Sequence, residues 1–250
     1  MAELARTDPG AREGSPREAS LIAREPRTLW RAIASRLLRA YYVITGKSRY
    51  DAYRFEHLHG LSLLILPSVA NPKVLRTGAF FAAQLDGSHI DANTRVLDLG
   101  TGSGVCALAA ARHSRHVVAV DINPAAVRCT RVNALLNGQE GRIEVRQGDL
   151  FAPVAGERFD LVLFNPPFQL GAPRNAREAA WCSSDVAPRF AAGLAQHLAV
   201  GGRALLLLSS FGDACASFET GLRARGFKLE VFAERRYVNE CLTLLRVTPP

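Results

Sequence analysis

Residues 159–171, FDLVLFNPPFQLG, end an apolar run in an amide, two prolines and an aromatic ring. Asn165 offers a side-chain carbonyl and Pro166 a backbone carbonyl. Two acceptors set close together can grip both hydrogens of an –NH2 group. In an amide or an aromatic amine that nitrogen is planar and its lone pair is delocalised. Bending the N–H bonds out of plane aims the lone pair at an electrophile. Proline fixes φ near about −65°, so both carbonyls stay aimed before a ligand arrives. Phe168 can stack on a flat group held there. The chemistry these residues can support is attack by a planar nitrogen, helped by positioning rather than by a strong base.

A second cluster, DLGTGSG at 98–104, places Gly100, Gly102 and Gly104 where the backbone can turn tightly and a ligand can approach without meeting a Cβ. The spacing is GxGxG. A dinucleotide fingerprint asks for its third glycine one place later, where this chain has Val105, so a nicotinamide dinucleotide is disfavoured. Asp121, in VVAVDIN, can accept two hydrogen bonds from a ribose diol. Asp149, in GDLF, ends the next strand in the corresponding position. It can accept from the exocyclic amine of an adenine, with Leu150 and Phe151 covering the ring.

The elements that must position these groups alternate after residue 93. RVLDLG, HVVAVD, IEVRQGD and FDLVLFN read as buried strands, with helices at SGVCALAAARH and NPAAVRCTRVNALLNG, the latter with Asn123 as N-cap, Pro124 at its first position and Gly138 as stop. DVAPRFAAGLAQHLAVGG reads as a further helix, followed by the strand RALLLLSS and the helix DACASFETGLRARG. Such alternation implies right-handed crossovers and a parallel sheet covered on both faces. KLEVFAERRYV and ECLTLLRVTP are joined too tightly for a crossover and must pair antiparallel. Upstream, Leu29, Trp30, Ile33, Leu37, Leu38 and Tyr41 recur at helical spacing after Thr28. YRFEHLHGLSLLILP then reads as a short strand pair, with His57 and His59 sharing one face of a strand, and NPKVLRTGAFFAAQL as a turn that continues into a helix ending near DGSH.

Composition narrows the classes. The 250 residues are 48% apolar, enough for a sizeable core. No apolar run approaches the roughly 18 to 20 residues of a membrane span. The first residues have no apolar stretch of the secretory kind, so a cytoplasmic protein is expected and no membrane partner. Five scattered cysteines and six scattered histidines offer neither disulfide nor metal-ligand spacing, so no metal is expected. Residues 1–50 hold ten of the basic residues against five acidic ones, a large part of the net charge of +8. Residues 1–27 therefore read as a disordered basic arm, either a solvated tail or a functional one, and 28–92 as an N-terminal helix and covering extension of a domain at 93–250.

The glycine loop, the acids at successive strand ends and the antiparallel final hairpin together resemble class I S-adenosylmethionine-dependent methyltransferases, over residues 93–248. NPPF resembles the [DNS]-P-P-[YFW] motif of N-methyltransferases acting on adenine, guanine or glutamine. Within that class the chain resembles the small-domain group of HemK/PrmC-like glutamine and RNA-base enzymes, with Phe168 where the glutamine enzymes usually carry Tyr. The resemblance implies an α/β, Rossmann-like, mostly parallel seven-stranded sheet with an antiparallel last strand, and S-adenosyl-L-methionine as cofactor. It implies that Asp98, Gly100, Thr101, Gly102 and Gly104 hold the methionine part, that Asp121 lies at the ribose and Asp149 and Leu150 at the adenine, with Ile122 also on the cofactor. Thr77 and Phe80 would close over the cofactor, which Asn165 also borders, and Asn165, Pro166 and Phe168 would carry catalysis. The acceptor implied is a protein glutamine or a nucleic-acid base, with a small molecule as the alternative. A non-catalytic nucleotide-binding module is the contrasting reading, against which the intact NPPF argues.

Overall fold

A computed structural model describes Leu21 and residues 52–173, 182–210, 212, 214–238 and 240–250. The helix expected at 28–44, and all of the arm expected at 1–27 except Leu21, lie outside the described residues. The described chain opens with a hairpin, β1 (Arg54–Leu58) and β2 (Leu61–Ile65), paired antiparallel. Its turn residues His59 and Gly60 have φ of 51° and 71°, the left-handed pair whose twist suits a two-residue hairpin. His59 therefore sits in the turn rather than beside His57 on a strand face. Its Nε2 lies 2.9 Å from the Ala79 carbonyl, while His57 Nδ1 lies 3.3 Å from Ser62 Oγ.

Where a turn leading into a helix is expected, the chain forms two short helices, α1 (Pro72–Leu75) and α2 (Thr77–Ala82), broken at Arg76, whose φ is 62°. A left-handed conformation costs a non-glycine residue roughly 1 kcal/mol or more. The break makes Thr77 the first residue of α2.

Strands and helices then alternate: β3 (Arg95–Leu99), α3 (Val105–Ala111), β4 (His116–Asp121), α4 (Pro124–Leu136), β5 (Ile143–Gln147), β6 (Phe159–Phe164), α5 (Val186–His197), β7 (Leu198–Ser209), α6 (Cys215–Arg223), β8 (Lys228–Arg236) and β9 (Cys241–Thr248). β7 starts five residues earlier than the sequence suggests. Phe159 pairs with Leu198 before the register shifts, and the close approach of Gly202 to the Phe159 carbonyl accommodates the irregularity. The sheet order is β5-β4-β3-β6-β7-β9-β8. All neighbours are parallel except those of β9, which runs antiparallel between β7 and β8.

Alternation along each strand divides the core in two. Val96, Leu161, Leu163, Leu205 and Leu207 join one apolar cluster with α2, α3, α4 and the hairpin's Leu61, Leu63 and Ile65. Leu97, Leu99, Val162, Phe164, Leu206 and Leu208 join the other with Phe190 and Leu194 of α5 and Phe218 and Leu222 of α6. Residues 52–92 thus share a core with the main domain. α3 consists of small and mid-sized residues, all buried, which lets it lie close between sheet and hairpin.

The outer edge of β2 meets α4 in an unusual way. Asn137 accepts from the Ser62 N–H (3.0 Å) and donates to the Ser62 carbonyl (2.8 Å). Asn133 accepts from the Leu64 N–H (2.7 Å), and the Cys129 thiol donates to the Leu64 carbonyl (3.1 Å). Four residues of helix rise about 6.0 Å and two residues of strand about 6.6 Å, so every fourth helix position can meet every second strand residue. Among the described residues no helix is long and apolar enough to cross a membrane.

Candidate functional site

β3 feeds a chain that moves outward to β4 and β5, whereas β6 feeds one that moves the other way to β7. A crevice therefore opens at the carboxyl ends of the neighbouring strands β3 and β6. Leu99 is opposite Phe164 in their parallel register, so the glycine loop and Asn165 begin side by side. Gly100, Gly102 and Gly104 all have left-handed φ, at 64°, 57° and 82°. They do different things. A Cβ at Gly100 or Gly102 would meet nothing closer than 3.8 Å, so their backbone faces open space. A Cβ at Gly104 would lie 2.9 Å from Thr130 Cγ2 and 3.2 Å from its Cα, so this glycine serves close packing of the loop on α4 rather than ligand approach.

α4 also fastens the loop by hydrogen bonds. Thr130 donates to the Gly102 carbonyl (3.2 Å) and Asn133 to the Ser103 carbonyl (2.9 Å). Asp98, 3% exposed, accepts from Thr101 Oγ1 (2.7 Å) and from the Ala107 N–H (3.1 Å). Burial pushes its carboxyl up to about 7, against the pull of those two bonds, and the neighbouring Asp121 pushes the same way. Asp121 accepts from the Gly102 N–H and the Asn123 N–H, each at 2.8 Å, one on each oxygen. Burial raises its pKa too, opposed by these N–H groups and that of Ile122. Three backbone N–H groups face the roughly four lone-pair sites of this carboxylate, so it keeps some acceptor capacity. Ile122 is 54% exposed beside it.

The third acid stands differently. Asp149 Oδ2 is ion-paired with Arg189 of α5 at 2.6 Å, both groups partly exposed, which leaves its second oxygen. Leu150 has φ of 46° and is partly buried. Phe151 does not cover a ligand ring as expected: it is buried and stacked on His197, centroids 4.4 Å apart. The apolar pull of the second core wins over an exposed position.

On the β6 side, Asn165 Nδ2 donates to Thr77 Oγ1 at 3.4 Å, bringing the start of α2 to the crevice. Asn165 Oδ1 is buried and has no hydrogen-bond partner among the described residues. A buried carbonyl left bare costs about 1–3 kcal/mol, so such an atom is uncommon in a folded protein. Pro166 is buried and Phe168 half-buried. The Phe168 carbonyl accepts from the Ala214 N–H (3.1 Å), and a Cβ at Gly212 would lie 2.4 Å from that carbonyl oxygen, so the β7–α6 loop clamps the backbone after the prolines. Phe80 lies in the core at 5% exposure, one turn behind Thr77. Among the described residues no group of three or more His, Cys, Asp or Glu could hold a metal.

Sequence reasoning missed Arg189, whose pairing with Asp149 spans 40 residues, and the anchoring role of α4. The latter had a signal: Cys129, Asn133 and Asn137 fall every fourth residue on one helical line.

The fold is that of the class I methyltransferases. The family profile of the methyltransferase small domain matches residues 72–225, and the chain belongs to that family. It is 33% identical over 169 residues to the ribosomal RNA small subunit methyltransferase C of Escherichia coli K12, covering 65% of this chain and 45% of that protein. The chain thus spans under half the length of the curated relatives it matches. Among solved structures it resembles the ribosomal protein L11 methylase of Lactobacillus delbrueckii subsp. bulgaricus (TM-score 0.53, 20% identity, 72% of this chain and 82% of that one). It also resembles the tRNA m1G37 methyltransferase of M. jannaschii (TM-score 0.56, 20% identity, 79% and 56%). These two likenesses show the fold alone.

Proposed function

We propose that the protein is an S-adenosylmethionine-dependent N-methyltransferase acting on the –NH2 group of a nucleic-acid base. The observation that carries this reading is the bare, buried Oδ1 of Asn165 at the carboxyl end of β6. The site suits the cofactor that the family implies. Gly100 and Gly102 present backbone to open space; Asp98 would take the methionine ammonium, and the remaining acceptor capacity of Asp121 a ribose hydroxyl. Ile122 and Leu150 would flank the adenine and the second oxygen of Asp149 its amine. When bound, the cofactor supplies an electrophilic methyl group on a sulfonium.

The chain's own part is positioning. Asn165 Oδ1 and the Pro166 carbonyl accept from the two N–H bonds of the acceptor and direct its lone pair. Phe168 covers the flat face of the acceptor, and the clamp by Ala214 and Gly212 keeps that ring in place. No base is required, because the nitrogen acidifies only as it gains the methyl. Two features favour a nucleic-acid base: the likeness to a relative whose name specifies ribosomal RNA, and the basic groups at the mouth of the site described next. A protein glutamine is the second reading, supported by the same bare carbonyl, which fits any planar –NH2. The test is methyl transfer from labelled cofactor to stripped RNA and to a protein extract, each with wild type and Asn165→Ala. Label in RNA that the variant loses supports the proposal; equal labelling by both proteins overturns it.

A further inference from the structure

Arg76, Arg235 and Tyr237 lie at the same end of the sheet as the crevice. β8 and β7 both run antiparallel to β9, so the carboxyl end of β8, with Arg235 and Tyr237, comes up beside the end of β7. Arg76 immediately precedes Thr77, whose hydroxyl touches Asn165. The Arg76 guanidinium carbon lies 4.8 Å from the centre of the Tyr237 ring, and that of Arg235 lies 5.6 Å from it. Neither arginine makes an ion pair among the described residues, whereas nearby Arg236 pairs with Glu234 and Lys73 with Glu56. Glu240, three residues beyond Tyr237, turns inward: its carboxylate accepts from Ser209 Oγ, and its carbonyl accepts from the Tyr237 N–H.

We propose that Arg76, Arg235 and Tyr237 form a phosphate-gripping edge that holds a single-stranded RNA acceptor beside Asn165. The proposal rests on the methyl-transfer reading above. A guanidinium laid over an aromatic ring keeps its N–H edges free for a phosphate. Two such cations on one ring with no carboxylate between them repel each other and attract an anion. Tyr237 is the positioning residue that keeps them together. The left-handed backbone of Arg76 aims one cation from the α1–α2 break, at the point where Thr77 meets Asn165. A base held at Asn165 necessarily brings a phosphate on either side, whereas a glutamine brings no obligatory charge, which is why the edge fits RNA.

The test uses the full chain saturated with S-adenosylhomocysteine and a labelled mixed-sequence single-stranded RNA, with anisotropy read across a salt series. A polyglutamate peptide serves as the competing anion. Arg76→Gly with Arg235→Ala should weaken RNA binding about tenfold or more near 0.1 M salt, and should flatten the slope of log affinity against log salt by about 0.7 for each phosphate that the edge no longer neutralises. Tyr237→Leu should weaken binding several-fold with the slope nearly kept. Arg235→Glu, on an exposed edge strand, repeats the test should the double variant unfold. Unchanged affinity and slope in these variants overturns the proposal, as does wild type that ignores RNA but takes up the peptide. Failure of the wild type to bind S-adenosylhomocysteine by calorimetry would instead bring down the methyltransferase reading itself.

Discussion

The two walls of the crevice are finished to different degrees. On the β3–β4 side the polar groups are already bonded within the chain: Asp98 to Thr101 and Ala107, Asp121 to Gly102 and Asn123, and the loop carbonyls to Thr130 and Asn133. On the β6 side Asn165 keeps a buried acceptor with nothing to accept from. A wall whose internal bonds are complete keeps its shape whether or not a ligand is present. An orphaned carbonyl is stabilised only when a donor comes, so its interaction is available to the reacting partner. The first wall suits a cofactor that is exchanged each turnover, the second an acceptor that must be held and bent.

Breaking the second wall should have the largest effect. Asn165→Ala should lower turnover by about a hundredfold or more, as removal of a positioned transition-state partner does elsewhere, while S-adenosylhomocysteine affinity by calorimetry stays within about twofold. Parallel losses in both quantities would place Asn165 on the cofactor instead. Asp121→Ala should do the reverse, weakening cofactor binding by roughly 1.5 to 3 kcal/mol through loss of charge-assisted hydrogen bonds.

Asp98 sharpens the comparison through pH. Its carboxyl is raised to about 7 in the folded protein, so the folded state binds its proton more tightly than the unfolded one does. Its contribution to stability is therefore greatest in acid and is lost as pH rises from about 4 to about 7. Thermal unfolding should show this slope in wild type and a flatter one in Asp98→Asn. Conversely, a cationic ammonium prefers the ionised carboxylate, so S-adenosylhomocysteine affinity should fall as pH drops below about 7 in wild type and change little in the variant. The smallest effect expected is that of Arg189→Ala, a loss of a few-fold in cofactor affinity, because the Asp149–Arg189 pair is partly exposed and such pairs contribute at most about 1 kcal/mol. A loss above tenfold would mean that Arg189 touches the cofactor directly.

Much of this was readable in the chain. Buried parallel strands are continuous apolar runs, and α4 carries its own start in Asn123 and Pro124. The final hairpin followed from the shortness of its connection. The positions of the glycine loop and of NPPF at neighbouring strand ends followed from the order of elements. Three things were hidden. Arginine carries no signal for a left-handed backbone, so nothing in the sequence marks Arg76 as the break between two helices. GDLF is the same pattern whether Phe151 faces a ligand or the core, and only the packing of His197 decides. The pairing of Asp149 with Arg189, and of Asn133 with Leu64, joins residues far apart in the chain, where no local period operates.

The meeting of α4 with β2 has a consequence for the molecule's surface. β2 ends a two-stranded sheet, and a bare strand edge is a template on which another chain can add itself. Here the side chains of Cys129, Asn133 and Asn137 occupy that edge as a third strand would. The Ser62 and Leu64 amide protons should exchange with solvent as slowly as those inside a sheet, and their bonds leave this edge closed to strand addition at those residues.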